Sequence, residues 1–115
     1  MEKAALFVFN GDPMCFIHVL LNALDMKERG IAAAIVIEGA ATGLIPALNT
    51  AGNPLNGLWK KVLSARLVAG VCRACATKTG TVKAAEDMGL PLLDDMSGHP
   101  SLTAYRQAGY DVITF

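Results

Sequence analysis

Short continuous apolar runs alternate along the chain with longer stretches of helical periodicity. Residues 4–9 (Ala-Ala-Leu-Phe-Val-Phe), 31–37 (Ile-Ala-Ala-Ala-Ile-Val-Ile) and 67–71 (Leu-Val-Ala-Gly-Val) are of strand length, and each ends at polar, charged or glycine residues or at the first of two closely spaced cysteines. Unbroken rather than alternating apolarity is the mark of strands covered on both faces. Residues 90–93 and 110–115 give a fourth and a fifth strand, with Pro91 assigning the fourth to the neighbourhood of an edge. Between the first two strands, Asp12 suits an N-cap, Pro13 the first helical position and Gly30 the stop. In that helix Met14, Ile17, Leu21 and Leu24 form an apolar stripe opposite His18, Asn22, Asp25 and Arg29. Phe16, Val19, Leu20 and Ala23 widen the apolar surface, which suggests a second contact between subunits.

Further helices are expected over residues 42–50 with Pro46 in the first turns, and from Pro54 onward with Leu55, Leu58, Trp59, Val62 and Leu63 at i, i+3, i+4, i+7 and i+8. A helical stretch interrupted at Gly80 and ended at Gly89 follows the third strand, and a last helix runs from Pro100 to Gln107 before Gly109. This alternation predicts an α/β fold of one domain, residues 1–115. Its form is a three-layer α/β/α arrangement around a five-stranded, mainly parallel, flavodoxin-like sheet. With the 2-1-3-4-5 strand order, a crevice would open between strands one and three.

The 115 residues are 53% hydrophobic and 17% charged, with mean hydropathy +0.41, apolar enough to suggest surface buried in a homo-oligomer. Ten basic residues balance ten acidic ones without any like-charge run, so neither nucleic acid nor an anionic membrane is the expected partner. The longest apolar runs are far short of a membrane span and the first residues lack a signal peptide's order, which points to the cytoplasm. Three cysteines, an odd number, favour reactive or metal-binding thiols over a disulfide framework, with inert buried cysteine as the alternative.

The candidate chemistry lies where the third strand ends in Cys72-Arg-Ala-Cys75. Backbone N–H groups at the start of the next helix and the Arg73 charge would favour a Cys72 thiolate as nucleophile or carrier, and Cys75 is spaced to resolve it. Cys15 and Asn10 leave the first strand and Glu38 the second at the same carboxyl edge, so all three cysteines are expected in one crevice as catalytic or assisting groups. Asp94, Asp95 and His99 leave the fourth strand farther along, His99 chiefly as a turn residue. A zinc set of Cys72 and Cys75 with Cys15 and His99, His18 or Asp94 lacks a second C-x2-C or H-x3-H pair, so no metal is expected. Neither G-x-G-x-x-G nor a Walker motif occurs; Gly52-Asn-Pro-Leu-Asn-Gly57 runs into Leu58-Trp59 where a phosphate loop needs Lys and Ser or Thr. No cofactor is therefore expected.

Val68-Ala-Gly-Val-Cys-Arg-Ala-Cys75, together with Phe7-Val-Phe-Asn-Gly-Asp-Pro13, resembles the DsrE family of small sulfur-relay proteins over nearly the whole chain. The resemblance implies a parallel five-stranded sheet, assembly as trimers or hexamers, and a cysteine after the third strand that carries persulfide sulfur between donor and acceptor proteins. Cys72 holds that position. Many members carry a small residue where this chain has Cys75, and a second thiol there would convert a carrier into a thiol-disulfide redox protein. A non-catalytic oligomeric binding subunit of the same fold is the remaining alternative.

Overall fold

The computed structural model describes residues 2–115. The elements run β1 (Lys3–Val8), α1 (Pro13–Glu28), β2 (Ala32–Ile37), a 3-10 segment (Gly39–Leu44), α2 (Ile45–Leu48), α3 (Asn56–Ser64), β3 (Val68–Cys72), α4 (Arg73–Thr79), α5 (Val82–Asp87), β4 (Leu92–Leu93), α6 (Leu102–Gln107) and β5 (Asp111–Thr114). All strand pairs are parallel, as the unbroken apolar runs predict. The helix boundaries follow the local chemistry. Asp12 accepts a hydrogen bond from the Met14 N–H at the start of α1, Ser101 caps α6, and Gly80 in the left-handed region separates α4 from α5.

The strand order is β4-β3-β2-β1-β5. This corrects the expected 2-1-3-4-5 order: β2 lies between β1 and β3, so no crevice opens between strands one and three. Apolar runs identify strands but carry little information about which neighbours pair. Here each of the first three crossovers steps to the adjacent position, and β5 returns to the free side of β1, where Phe9 N–H donates to Phe115 O at 2.9 Å and Phe115 N–H to Phe7 O at 2.8 Å. The chain therefore reverses its direction across the sheet between β1 and β5. β4 occupies an edge, in keeping with Pro91.

The two faces of the sheet are covered unequally. Leu6, Val8, Ile35, Ile37 and Val71 pack with residues of α1 to α5 in the main core, where Trp59 and Phe16 are fully buried with ring centroids 6.3 Å apart. On the other face Ala5, Phe7 and Val36 are covered by Tyr105 of α6 and by Tyr110, with the Phe7 and Tyr105 rings edge-on at 5.4 Å. The buried side of α1 also differs from the stripe read from sequence. Phe16, Val19, Leu20 and Ala23 face the core of the same chain, while Met14 is 78% exposed and Leu21 45%. A helix apolar on most of its circumference does not encode which stripe meets the sheet; the position of Trp59 on α3 decides it.

β3 carries a register shift against β2 between Ile35/Val36, which brings Gly70 opposite Val36. A Cβ on Gly70 would lie 2.6 Å from Leu93 Cγ and 2.9 Å from the Pro91 carbonyl oxygen, and that carbonyl is held by the Val71 N–H at 2.9 Å. Glycine is what lets β4 approach β3. Gly70→Ala should therefore destabilise the fold by about 1–3 kcal/mol, read as a lowered urea midpoint. An unchanged midpoint would mean that β4 does not sit this close.

Candidate functional site

The carboxyl ends of β2, β3 and β4 are neighbours, so the residues that leave them are brought together. Cys72 ends β3 and serves as the N-cap of α4, its Sγ accepting from the Cys75 N–H at 3.4 Å. Its side chain is fully buried, whereas Cys75, one turn into α4, is half-buried. His99 completes the group: its Nδ1 lies 3.1 Å from Cys72 Sγ and 3.9 Å from Cys75 Sγ. The three donor atoms all fall within 4.8 Å of one another. In the tautomer protonated at Nε2, Nδ1 accepts from either thiol.

A short loop presents the imidazole. Residues 94–99 fold back on themselves through Met96 N–H to His99 O at 2.8 Å, His99 N–H to Met96 O at 2.9 Å and Gly98 N–H to Asp94 O at 3.3 Å. Ser97 and Gly98 both have positive φ, 50° and 88°, and a Cβ on Gly98 would sit 3.2 Å from the Ala74 side chain. Glycine at 98 thus serves the left-handed backbone and the close approach together. Two bonds moor this loop to α4: Ala74 N–H donates to Gly98 O at 2.9 Å, and Arg73 Nε pairs with Asp94 Oδ2 at 2.9 Å. Arg73 acts as a tether for the histidine loop through an exposed ion pair.

Glu38 follows β2 directly and is 6% exposed. Burial pushes its carboxyl above the usual range, an effect that a protonated His99 ring and a hydrogen bond from the Cys72 thiol partly offset. The adjoining 3-10 segment is clamped to α4 by hydroxyls, Thr42 Oγ1 to Thr79 Oγ1 at 2.8 Å and Thr79 Oγ1 to Thr81 Oγ1 at 3.0 Å. This clamp fixes the backbone beside Glu38 relative to Cys72. Nothing in the spacing of three threonines announced it.

The Cys72 thiol is pushed up to about 12, chiefly by burial; the Cys75 N–H pulls the other way, and the Cys75 thiol and the Glu38 charge add to the rise. This reverses the expectation of a favoured thiolate, because removal from water outweighs one N–H aimed at sulfur. The buried thiol stays protonated until a base takes its proton, and His99 Nδ1, 3.1 Å away, is placed to take it.

The remaining sequence candidates lie elsewhere. Cys15 is on α1, after β1, and is not among the three clustered donors; two strand spacings, about 10 Å, separate β1 from β3. Asn10 is exposed and accepts from the Asp12 N–H at 2.8 Å, shaping the turn into α1. His18 is exposed on α1, as its polar helix face predicts. His99 is a turn residue as well as a partner of both thiols, and only the adjacency of β3 and β4 shows the second role.

The chain is 35% identical over 96 residues to the uncharacterized protein MJ0733 of Methanocaldococcus jannaschii, an overlap of 84% of this chain and 76% of that protein. The chain belongs to the MJ0733 family. A second relative of this MJ0733-family chain, an uncharacterized protein of Archaeoglobus fulgidus, is 46% identical over 41 residues, 36% of this chain and 67% of that protein. No family profile matches the chain. Among solved structures, the conserved protein of unknown function BT1422 from Bacteroides thetaiotaomicron superposes with a TM-score of 0.65 at 17% identity, covering 99% of this chain and 95% of that one. That likeness establishes the fold of this MJ0733 relative and nothing about its chemistry.

The thiol geometry sets an order of reactivity. Cys75, the more accessible thiol, should be alkylated before Cys72 at neutral pH, and the Cys72 rate should still climb above about pH 10, roughly tenfold per unit, as its thiolate forms. Peptide mapping of the timed reaction checks this. A Cys72 rate that levels off near neutral pH would show that the thiol is ionised despite its burial.

Proposed function

We propose that the protein carries sulfane sulfur as a persulfide on Cys72, with Cys75 as the point of exchange and His99 as the proton acceptor. The observation that carries this reading is the placement of one imidazole nitrogen 3.1 Å from the buried thiol and 3.9 Å from the half-buried one. The resemblance to the DsrE family at Cys72 supports it. In the first step Cys75, deprotonated by His99, attacks the outer sulfur of a donor persulfide RS–SH. A sulfur–sulfur bond forms on Cys75, the RS–S bond breaks, and the departing thiolate takes the proton. Cys72 then attacks the outer sulfur of the Cys75 persulfide, giving the Cys72 persulfide and the free Cys75 thiol. Neither transfer needs an external oxidant.

Burial gives the product a reason to sit on Cys72, since a persulfide out of water is shielded from adventitious thiols. An acceptor thiol recovers the sulfur by the reverse exchange through Cys75. The two Sγ atoms lie within 4.8 Å, which also supports a second reading, a thiol-disulfide redox pair. In that case Cys75 attacks the inner sulfur of the Cys72 persulfide, forms the disulfide and expels hydrosulfide. Homo-oligomeric assembly, as a trimer or hexamer, and a cytoplasmic setting belong to the same proposal; exposed Phe9, Met14 and Leu21 support the assembly. Among the described residues no helix is long and apolar enough to cross a membrane.

Reduced protein incubated with a small persulfide donor should gain about 32 Da, one sulfur atom, mapped to Cys72. Cys75→Ser and His99→Ala should each slow loading on the order of 10²-fold, while in Cys72→Ser the added sulfur stays on Cys75, where a free small thiol strips it rapidly. Loss of two hydrogens with released sulfide would select the disulfide reading. A sulfur adduct in Cys72→Ser that resists free thiol as well as the native adduct does would overturn the carrier assignment.

A further inference from the structure

The same three side chains have the composition and spacing of a metal site, and they form it without Cys15, which the sequence pattern had grouped with them. A tetrahedral ion with bonds of about 2.3 Å to sulfur and about 2.0 Å to nitrogen needs donor atoms about 3.3–3.8 Å apart. Cys72 Sγ and Cys75 Sγ lie 3.1 and 3.9 Å from His99 Nδ1, and the whole set is within 4.8 Å. A small rotation of the half-buried Cys75 side chain brings the third edge into range. The backbone also supplies what a bound thiolate needs, since the Cys75 N–H already points at Cys72 Sγ.

We propose that Cys72, Cys75 and His99 bind one Zn2+ ion through two thiolates and the imidazole Nδ1, leaving a fourth position open. Binding releases two thiol protons to solvent and leaves two negative charges against two positive ones, so the complex is neutral. Neutrality suits a site whose deepest ligand is fully buried. Soft thiolates select zinc over magnesium or calcium, which take oxygen ligands. The buried Glu38 carboxylate, next to both Cys72 and His99, acts from outside the ligand shell, a role that holds ligands in orientation.

The site does not depend on the sulfur-carrier reading. Where that reading also holds, zinc and sulfur compete for the same thiols, and a metal-loaded chain is closed to persulfide donors. Failure to bind metal leaves sulfur loading intact, and failure to load sulfur leaves metal binding intact, so the two are separately testable.

The test is a titration of the reduced, chelator-treated full chain with Co2+, followed by displacement with Zn2+. The expected result is one Co2+ per chain, with the visible bands of tetrahedral coordination and the ultraviolet band of thiolate-to-cobalt charge transfer, both lost when zinc replaces it. Cys72→Ser, Cys75→Ser and His99→Ala should each weaken binding by well over about tenfold, Glu38→Gln by about 10- to 100-fold, and Cys15→Ser not at all. His99→Cys should restore binding, because a third thiolate replaces the imidazole, and this variant remains decisive where a serine variant fails to fold. Absence of the tetrahedral spectrum at equimolar Co2+, or binding that survives unchanged in both Cys72→Ser and His99→Ala, overturns the site.

Discussion

A thiol removed from solvent where a strand gives way to a helix cannot ionise on its own, and the chemistry of this protein depends on what surrounds Cys72. Burial holds its proton far more strongly than the single N–H from Cys75 can loosen it. Reactivity must then come from a side chain close enough to take the proton at the moment of reaction, or from a metal ion that replaces it. His99 meets the first requirement by distance and, together with Cys75, the second by geometry. The arrangement differs from an exposed, pre-ionised cysteine, because reaction is conditional on a partner.

The parallel sheet makes that partnership possible. With β2, β3 and β4 in sequence-adjacent order, Glu38, Cys72 and the loop bearing His99 leave the same edge side by side. The close contacts that fix the group are small: glycine at 70 lets β4 approach β3, glycine at 98 lets the loop meet Ala74, and the Arg73–Asp94 pair moors its start. An exposed ion pair of this kind adds little stability, about 0–1 kcal/mol, so its weight lies in position. The unequal layers of the fold do not disturb this edge, since helices α1 to α5 bury the main core while α6 covers Phe7 on the other face.

Much of this was legible in the sequence and some was not, for physical reasons. Strand and helix identities, the Asp12 cap, the break at Gly80 and the edge position of β4 follow from local rules, and all appear in the structure. Strand order did not follow, because pairing is decided by crossover geometry that apolar runs do not record, and the thiols that cluster are Cys72 and Cys75 with His99, without Cys15. The stripe on α1 was misjudged because the helix is apolar nearly all round. The two thiols were found by their spacing, but His99 is 24 residues beyond Cys75 and enters through a turn whose Ser-Gly pair marks the bend and not its target. The direction of the Cys72 shift was missed for the same kind of reason: an N–H donor is visible in a pattern, whereas burial is a property of the packed chain.

The most direct test of a coupled Cys72–Cys75–His99 unit is the 15N chemical shift of the His99 ring nitrogens, measured in the reduced protein and in Cys72→Ser under identical conditions. A hydrogen bond from thiol to Nδ1 predicts that the Nδ1 resonance moves when the sulfur is replaced and moves again when the native thiol is persulfidated or metal-loaded. A His99 spectrum indifferent to the Cys72 substitution and to loading would contradict the account, leaving the histidine as a turn residue and the thiol as buried packing.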